Sequence, residues 1–147
     1  MIRKSILLAL FVPLLLSCGK QEEQKAENVL LVLVDTLRQD RLGGYCYSED
    51  TSPVLDRLME EGARLDCISP TSWTKPATAS LLTGLHPLRH QTLASEDRLP
   101  SRVRTLAEEL GQRGYQTAAI TGNAWISVAM GFDQGFDSLE LIQDEAY

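Results

Sequence analysis

The chain has 147 residues, 44% apolar and 23% charged, enough for one domain with an ordinary core. Its 14 Lys and Arg face 20 Asp and Glu, a net charge of −6 with no basic cluster. That balance excludes the phosphate-neutralising stripe of a nucleic-acid binder, and the acidity reads as solvated surface.

The N-terminus reads as a leader. Arg3 and Lys4 precede an apolar run from Ser5 to Leu16, shorter than the roughly 20 residues that cross a bilayer but suited to a secretory signal. Leu15-Leu16-Ser17-Cys18 resembles a bacterial lipobox, with Cys18 as the lipidated first residue of the mature protein. Residues 1–17 are then a lipoprotein signal peptide, and loss of Arg3 and Lys4 leaves 12 basic against 20 acidic residues, or −8. Gly19 in place of an aspartate points to the outer membrane, so a periplasm-facing, lipid-anchored envelope protein is expected. Residues 18–27, rich in Gln and Glu, suit a solvated tether.

Beyond the tether, strand and helix signals alternate. Asn28 to Val34 is a near-continuous aliphatic run, predicted as a central parallel strand ending at Asp35. Thr51 to Gly62 carries Leu55, Leu58 and Met59 at helical spacing, with Gly62 as a stop. Ala63 to Ile68 is predicted as a second strand, and Pro76 to Leu85 as a short helix with proline in its first turn. Leu99 to Gly114 reads as a longer amphipathic helix with Val103, Leu106, Ala107 and Leu110 inward. Tyr115 to Thr121 follows as a third strand, and residues 131–137 as a loop held down by its aromatics. This alternation predicts an α/β layer fold, whose ligand sites lie beyond the carboxyl ends of the strands. Neither G-x-G-x-x-G nor G-x-x-x-x-G-K follows the first strand, which excludes the common nucleotide-binding loops.

Two residues stand out chemically. Asp35, directly after an aliphatic strand, needs a compensating partner: a divalent cation, a helix cap, or an ion pair with Arg38 or Arg41. Thr74 stands just before Pro76, either as a capping hydroxyl or as a nucleophile whose acidity a base or metal must raise. Cys46 and Cys67 leave a bridge and two separate buried thiols both open. His86 and His90 lie far from either cysteine, which disfavours zinc, and His90 reads as a structural contact.

The segments NVLLVLVDTLRQDRLGGY, TSPVLDRLMEEGARL, TKPATASLLTGLHPLRH, LPSRVRTLAEELGQRGYQTAAITGN and MGFDQGFD, in that order, resemble the N-terminal part of the sulfatase family of the alkaline phosphatase superfamily. The resemblance runs from Asn28 to about Glu140. It implies a three-layer αβα sandwich with a mostly parallel sheet, of which residues 28–147 are the N-terminal portion. It also implies hydrolysis of a small anionic ester of sulfate or phosphate, with a divalent ion (Ca, Zn, Mg or Mn) held partly by Asp35 and Thr74. Thr74 stands where sulfatases carry the Cys or Ser that becomes formylglycine, so formylglycine is not expected and an unmodified hydroxyl is the implied nucleophile. Threonine followed by proline resembles the phosphodiesterase branch. Thr36 replaces one usual acid, Thr78 the usual arginine, and Gly122-Asn123-Ala124-Trp125 the usual G-K-W-H segment. Lys75 is the candidate for part of the missing positive charge at the substrate. With further ligands of such sites lying far downstream in the family, little turnover is expected from the chain as it stands. A non-catalytic lipoprotein module and a phospho-group transferase are the alternative readings.

Overall fold

The computed structural model describes residues 28–142. The expected leader, the Cys18 lipidation site and the tether lie outside these residues. The chain divides into two units at Val34/Asp35.

In the first unit the described residues are the aliphatic run itself. It is not the expected central strand: residues 28–34 carry no regular secondary structure, and Leu30 is 88% exposed. The reason is that a strand is a relation between two chains, and the only ladder among the described residues pairs two later segments.

The second unit begins with two short 3₁₀ turns, Gln39–Arg41 and Gly43–Tyr45. They pack against helix α1 (Pro53–Glu61), which matches the helix expected over 51–62. Asp56 in its first turn accepts from Gly44 N–H (2.7 Å), and the Ser52 hydroxyl donates to the same carboxylate. Gly62 closes the helix, its N–H donating to Leu58 O (3.0 Å). The second expected strand, Ala63–Ile68, is absent for the same reason as the first; Ile68 is 97% exposed and no partner lies alongside among the described residues.

Helix α2 (Thr74–Thr83) starts two residues before the expected Pro76, so Thr74 is its first residue and Trp73 the N-cap. Gly84 ends it in the left-handed region (φ 67°), where a side chain would be strained. A single turn, α3 (Pro87–His90), follows, capped by the His86 ring, which accepts from Leu88 N–H. Helix α4 (Leu106–Gln112) is shorter than the 99–114 segment expected. A capping box sets its start: the Thr105 hydroxyl accepts from Glu108 N–H, and the Glu108 carboxylate accepts from Thr105 N–H. Val103 and Ala107 point inward as expected, whereas Leu106 is exposed, because the helical face counted from 99 does not exist before Thr105.

Strand β1 (Ala118–Thr121) is the core of the third expected strand. It pairs in parallel with β2 (Ser138–Leu141), in register from Ala118 against Ser138 to Thr121 against Leu141. β2 was not foreseen. The crossover between them is the aromatic loop plus a 3₁₀ turn at Val128–Met130. Phe132, 1% exposed, packs this loop down as expected, joining Ala79 of α2, Leu99 and Val103 in the core. Gly135 (φ 84°) lets the loop pass α4: a Cβ there would lie 2.3 Å from Glu108 N. The mixed helix and strand content and small parallel sheet agree with part of the predicted α/β fold. Among the described residues no helix is long and apolar enough to cross a membrane.

Candidate active site

The start of α2 is where the sequence-predicted residues meet. Thr74 Oγ1 donates to both oxygens of the Asp35 carboxylate, at 3.0 and 3.2 Å. The hydroxyl is thus not a helix cap, since a cap accepts from the backbone and this one donates to an acid. Asp35 is not paired with arginine either: Arg38 forms its ion pair with Asp40, and Arg41 donates to the Tyr47 hydroxyl. Thr36, next to Asp35, sits at φ 56°, a conformation a β-branched residue adopts only at a cost of about 1–3 kcal/mol. That strain marks the Asp35 turn as held in place by its surroundings.

The backbone adds a second ingredient. The first N–H groups of a helix lack intrahelical acceptors, and Pro76 has none to offer. Ala77 N–H donates to Trp73 O (3.1 Å), and Thr74, half-buried, is the residue at which the first turn meets the surface, Lys75 behind it being fully buried. The Thr74 hydroxyl that faces the carboxylate thus stands at the positive end of the helix dipole.

Lys75 departs from its expected role. It is fully buried (0% exposed), and its ammonium donates to Ser95 O (2.8 Å), Ala94 O (3.4 Å) and Met130 Sδ (3.3 Å). It also lies 5.4 Å from the centroid of the Trp125 ring, and it makes no ion pair with Asp35. Burial pushes its pKa down, and Asp97 and Glu96 act in the opposite direction. The loop supplying its carbonyls is closed by Asp97, whose carboxylate accepts from Leu93 N–H (2.8 Å) and Ala94 N–H (2.7 Å). These two bonds hold the Asp97 pKa below the usual carboxylate value. Lys75 is therefore a strut between α2, this loop and Trp125.

His90 is structural, as read from the sequence. Nδ1 accepts from Thr92 N–H (3.0 Å), which places the ring proton on Nε2, 3.0 Å from Ser80 Oγ. Burial lowers its pKa and keeps the ring neutral. Cys46 and Cys67 are free and exposed, so neither the bridge nor the buried thiols anticipated for them are found.

A carboxylate and a hydroxyl are the hard oxygen donors that Ca²⁺ or Mg²⁺ prefers, so Asp35 and Thr74 fit a divalent cation in kind. They fall short in number. Among the described residues no group of three or more Asp, Glu, His or Cys comes together, and a hard cation takes six or more oxygens.

Two site features escaped the sequence reading. One is the strain at Thr36, which leaves no trace in composition. The other is an aromatic pair: Trp73 and Trp125 meet edge to face with centroids 6.2 Å apart. The available signal was Trp73 adjoining the nucleophile candidate and Trp125 following a strand.

Residues 27–146 match the family model described as Sulfatase. Arylsulfatase D of Homo sapiens is 34% identical over 134 residues, covering 80% of this chain and 22% of the relative. The N-acetylglucosamine-6-O-sulfatase of Bacteroides thetaiotaomicron is 30% identical over 132 residues, 88% of this chain and 24% of its own length. Arylsulfatase G of Mus musculus is 37% identical over 100 residues, 63% of this chain and 19% of the relative. The chain thus spans about a fifth to a quarter of the length of these relatives. No solved structure gives a significant match.

Proposed function

This chain belongs to the sulfatase family, and on that premise we propose that it carries the nucleophile of a hydrolase of sulfate or phosphate esters, with Thr74 attacking as an unmodified hydroxyl. The observation supporting this reading is the paired hydrogen bond from Thr74 Oγ1 to Asp35 at the first residue of α2. A hydroxyl is a weak nucleophile at neutral pH, and a carboxylate holding its proton orients a lone pair outward. The substrate anion sits at the start of α2 beside Thr74, where the positive end of the helix dipole stabilises charge as it develops. As Oγ1 bonds to sulfur or phosphorus, its proton passes to Asp35, the bond from that atom to the ester oxygen breaks, and the alkoxide leaves and takes a proton from water. Water then cleaves the ester formed on Thr74 and restores the hydroxyl. A divalent ion, when bound, would be held in part by Asp35 and Thr74 and would lower the pKa of the hydroxyl.

Relatives named as sulfatases support the sulfate ester; threonine in place of a convertible cysteine or serine supports phosphorus. Turnover of phenyl sulfate, phenyl phosphate and bis-phenyl phosphate, with and without Ca²⁺, Mg²⁺, Mn²⁺ or Zn²⁺, separates the two. The 147-residue chain should turn these esters over only weakly, and loss of that turnover in Thr74→Ala is the expected result. An active Thr74→Ala protein would overturn the assignment.

The lipid anchor belongs to the same proposal: Cys18 carries it and the domain faces the periplasm, supported by the basic, apolar and lipobox order of residues 3–18. Labelled palmitate should enter the membrane-fraction protein and not its Cys18→Ala variant; equal labelling would sink the anchor.

A further inference from the structure

Cys46 and Cys67 are reactive side chains that the chemistry at Thr74 leaves unused, and both are free and exposed. Cys46 also stands where a cysteine is costly. It ends the Gly43–Tyr45 turn at φ 68°, in the left-handed region, where a Cβ crowds the following carbonyl and glycine is the ordinary occupant. A thiol held at a position that glycine fills without strain points to a role for the sulfur.

The contacts of the turn show what faces it. The segment leaving α1 is tied to the turn at successive residues. Arg64 donates to Gly44 O (2.7 Å), and its guanidinium lies 4.9 Å from the centroid of the Tyr45 ring. The Tyr45 hydroxyl donates to Asp66 Oδ1 (3.2 Å). Burial raises the Tyr45 pKa, the bond to Asp66 adds to the rise, and Cys67 acts in the same direction from within electrostatic reach of the phenol. The contacts thus advance in step, Gly44 with Arg64 and Tyr45 with Asp66, and the next residue on each side is a cysteine. A disulfide needs Cα atoms within about 7 Å of each other. Residues 63–68 lie in no helix or ladder, so no regular hydrogen bonding holds Cys67 back from that approach.

We propose that Cys46 and Cys67 are a redox pair, which a disulfide-donating oxidant closes into an intramolecular bridge fastening the Gly43–Tyr45 turn to the chain leaving α1. The step is thiol–disulfide exchange. One cysteine thiolate attacks a sulfur of the oxidant, the oxidant's S–S bond breaks, and its first thiol leaves. The second cysteine thiolate attacks the protein sulfur of the mixed disulfide, the Sγ–Sγ bond forms, and the second oxidant thiol leaves. Two electrons pass from the cysteines to the oxidant, and the two thiol protons end on the released thiols. The closed ring encloses α1, so oxidation restricts the unfolded chain and stabilises the folded one. The pair stands independently of Thr74.

The 147-residue chain, reduced and then equilibrated with glutathione disulfide, tests the pair. After alkylation of the remaining thiols, trypsin cleavage at Arg57 and Arg64 leaves Cys46 and Cys67 on separate peptides that only the bridge joins. The expected result is that linked pair from a monomeric chain, lost on reduction, with an unfolding temperature roughly 5 °C or more above that of the reduced chain. Cys67→Ser should remove both the link and the shift. Cys46→Gly suits φ 68° and so guards against a folding defect; it should melt at the same temperature with and without the oxidant. Glutathione adducts on both cysteines without a linked pair, a bridge between two chains, or a bridge from either cysteine to Cys18 overturns the proposal. An oxidised chain no more stable than the reduced one overturns it as well.

Discussion

Thr74 and Lys75 are neighbours in sequence and opposites in setting. At Thr74 the outer corner of α2 holds a hydroxyl bonded to an exposed carboxylate, polar groups at the surface. From Lys75 inward, the same helix buries Lys75, Pro76, Thr78 and Ala79 against His90 and Phe132, with the lysine charge taken up by carbonyls. One residue of rotation, about 100° on a helix, separates the proposed reactive surface from a supporting one. The difference teaches that a charge close to a proposed nucleophile in sequence need not be close to it in space.

The largest effect that would test this contrast is at Thr74. Thr74→Ala should lower the proposed turnover by about 10³-fold or more and leave the melting temperature nearly unchanged. A large loss of stability would move Thr74 to the supporting side. Phe132→Ala, on the inner side, should cost about 3–5 kcal/mol by denaturant titration. Lys75→Ala comes next, at about 1.5–3 kcal/mol, because it strips a charged donor from two carbonyls. Its turnover per folded molecule should stay within a factor of a few; a drop like that of Thr74→Ala would show that the ammonium meets the substrate. Thr105→Ala removes one half of the α4 capping box and should cost about 1 kcal/mol with unaltered turnover. The smallest effect is at His90. Burial lowers its folded-state pKa below the ordinary value of 6.5. The stabilisation from the neutral ring is therefore complete above that value and lost as pH falls through the folded-state pKa. Melting curves between pH 8 and 5 should show this acid sensitivity reduced in His90→Asn, which keeps an acceptor for Thr92 N–H.

Much of the outer corner was legible in the sequence, since Asp35 and Thr74 belong to ordered segments that resemble a known family. The local signals also held: Gly62 stops α1, and Phe132 packs its loop. What could not be read is what depends on distant partners. An aliphatic run such as residues 28–34 states only that it can be buried, and it becomes a strand only where a second strand meets it. β2 was missed for the converse reason, since Ser138–Leu141 is a short segment with one charged residue, made a strand by β1. The direction of the Lys75 side chain was equally nonlocal, being decided by the loop at Ala94–Ser95 and by Trp125. The late start of α4 is different. The Thr105-x-x-Glu108 box was present in the sequence and outweighs the amphipathic pattern before it, because it satisfies helix donors that a continuous helix would leave to water.

The hydrogen bond between Thr74 and Asp35 joins residues 39 apart in the chain, whereas the two bonds of the capping box at Thr105 span three. Closing a flexible loop of that length costs about 2 kcal/mol more than closing one of three residues, by the logarithmic dependence of closure entropy on length. The two ends of the chain's chemistry therefore mature at different times. The α4–β1–β2 segment can order from contacts made largely within itself, while Asp35 meets Thr74 only after the intervening polypeptide has settled. We expect the Asp35–Thr74 corner to open more readily than β1. In native-state hydrogen exchange, the amides around Asp35 and Thr74 should open at lower free energy than those of β1.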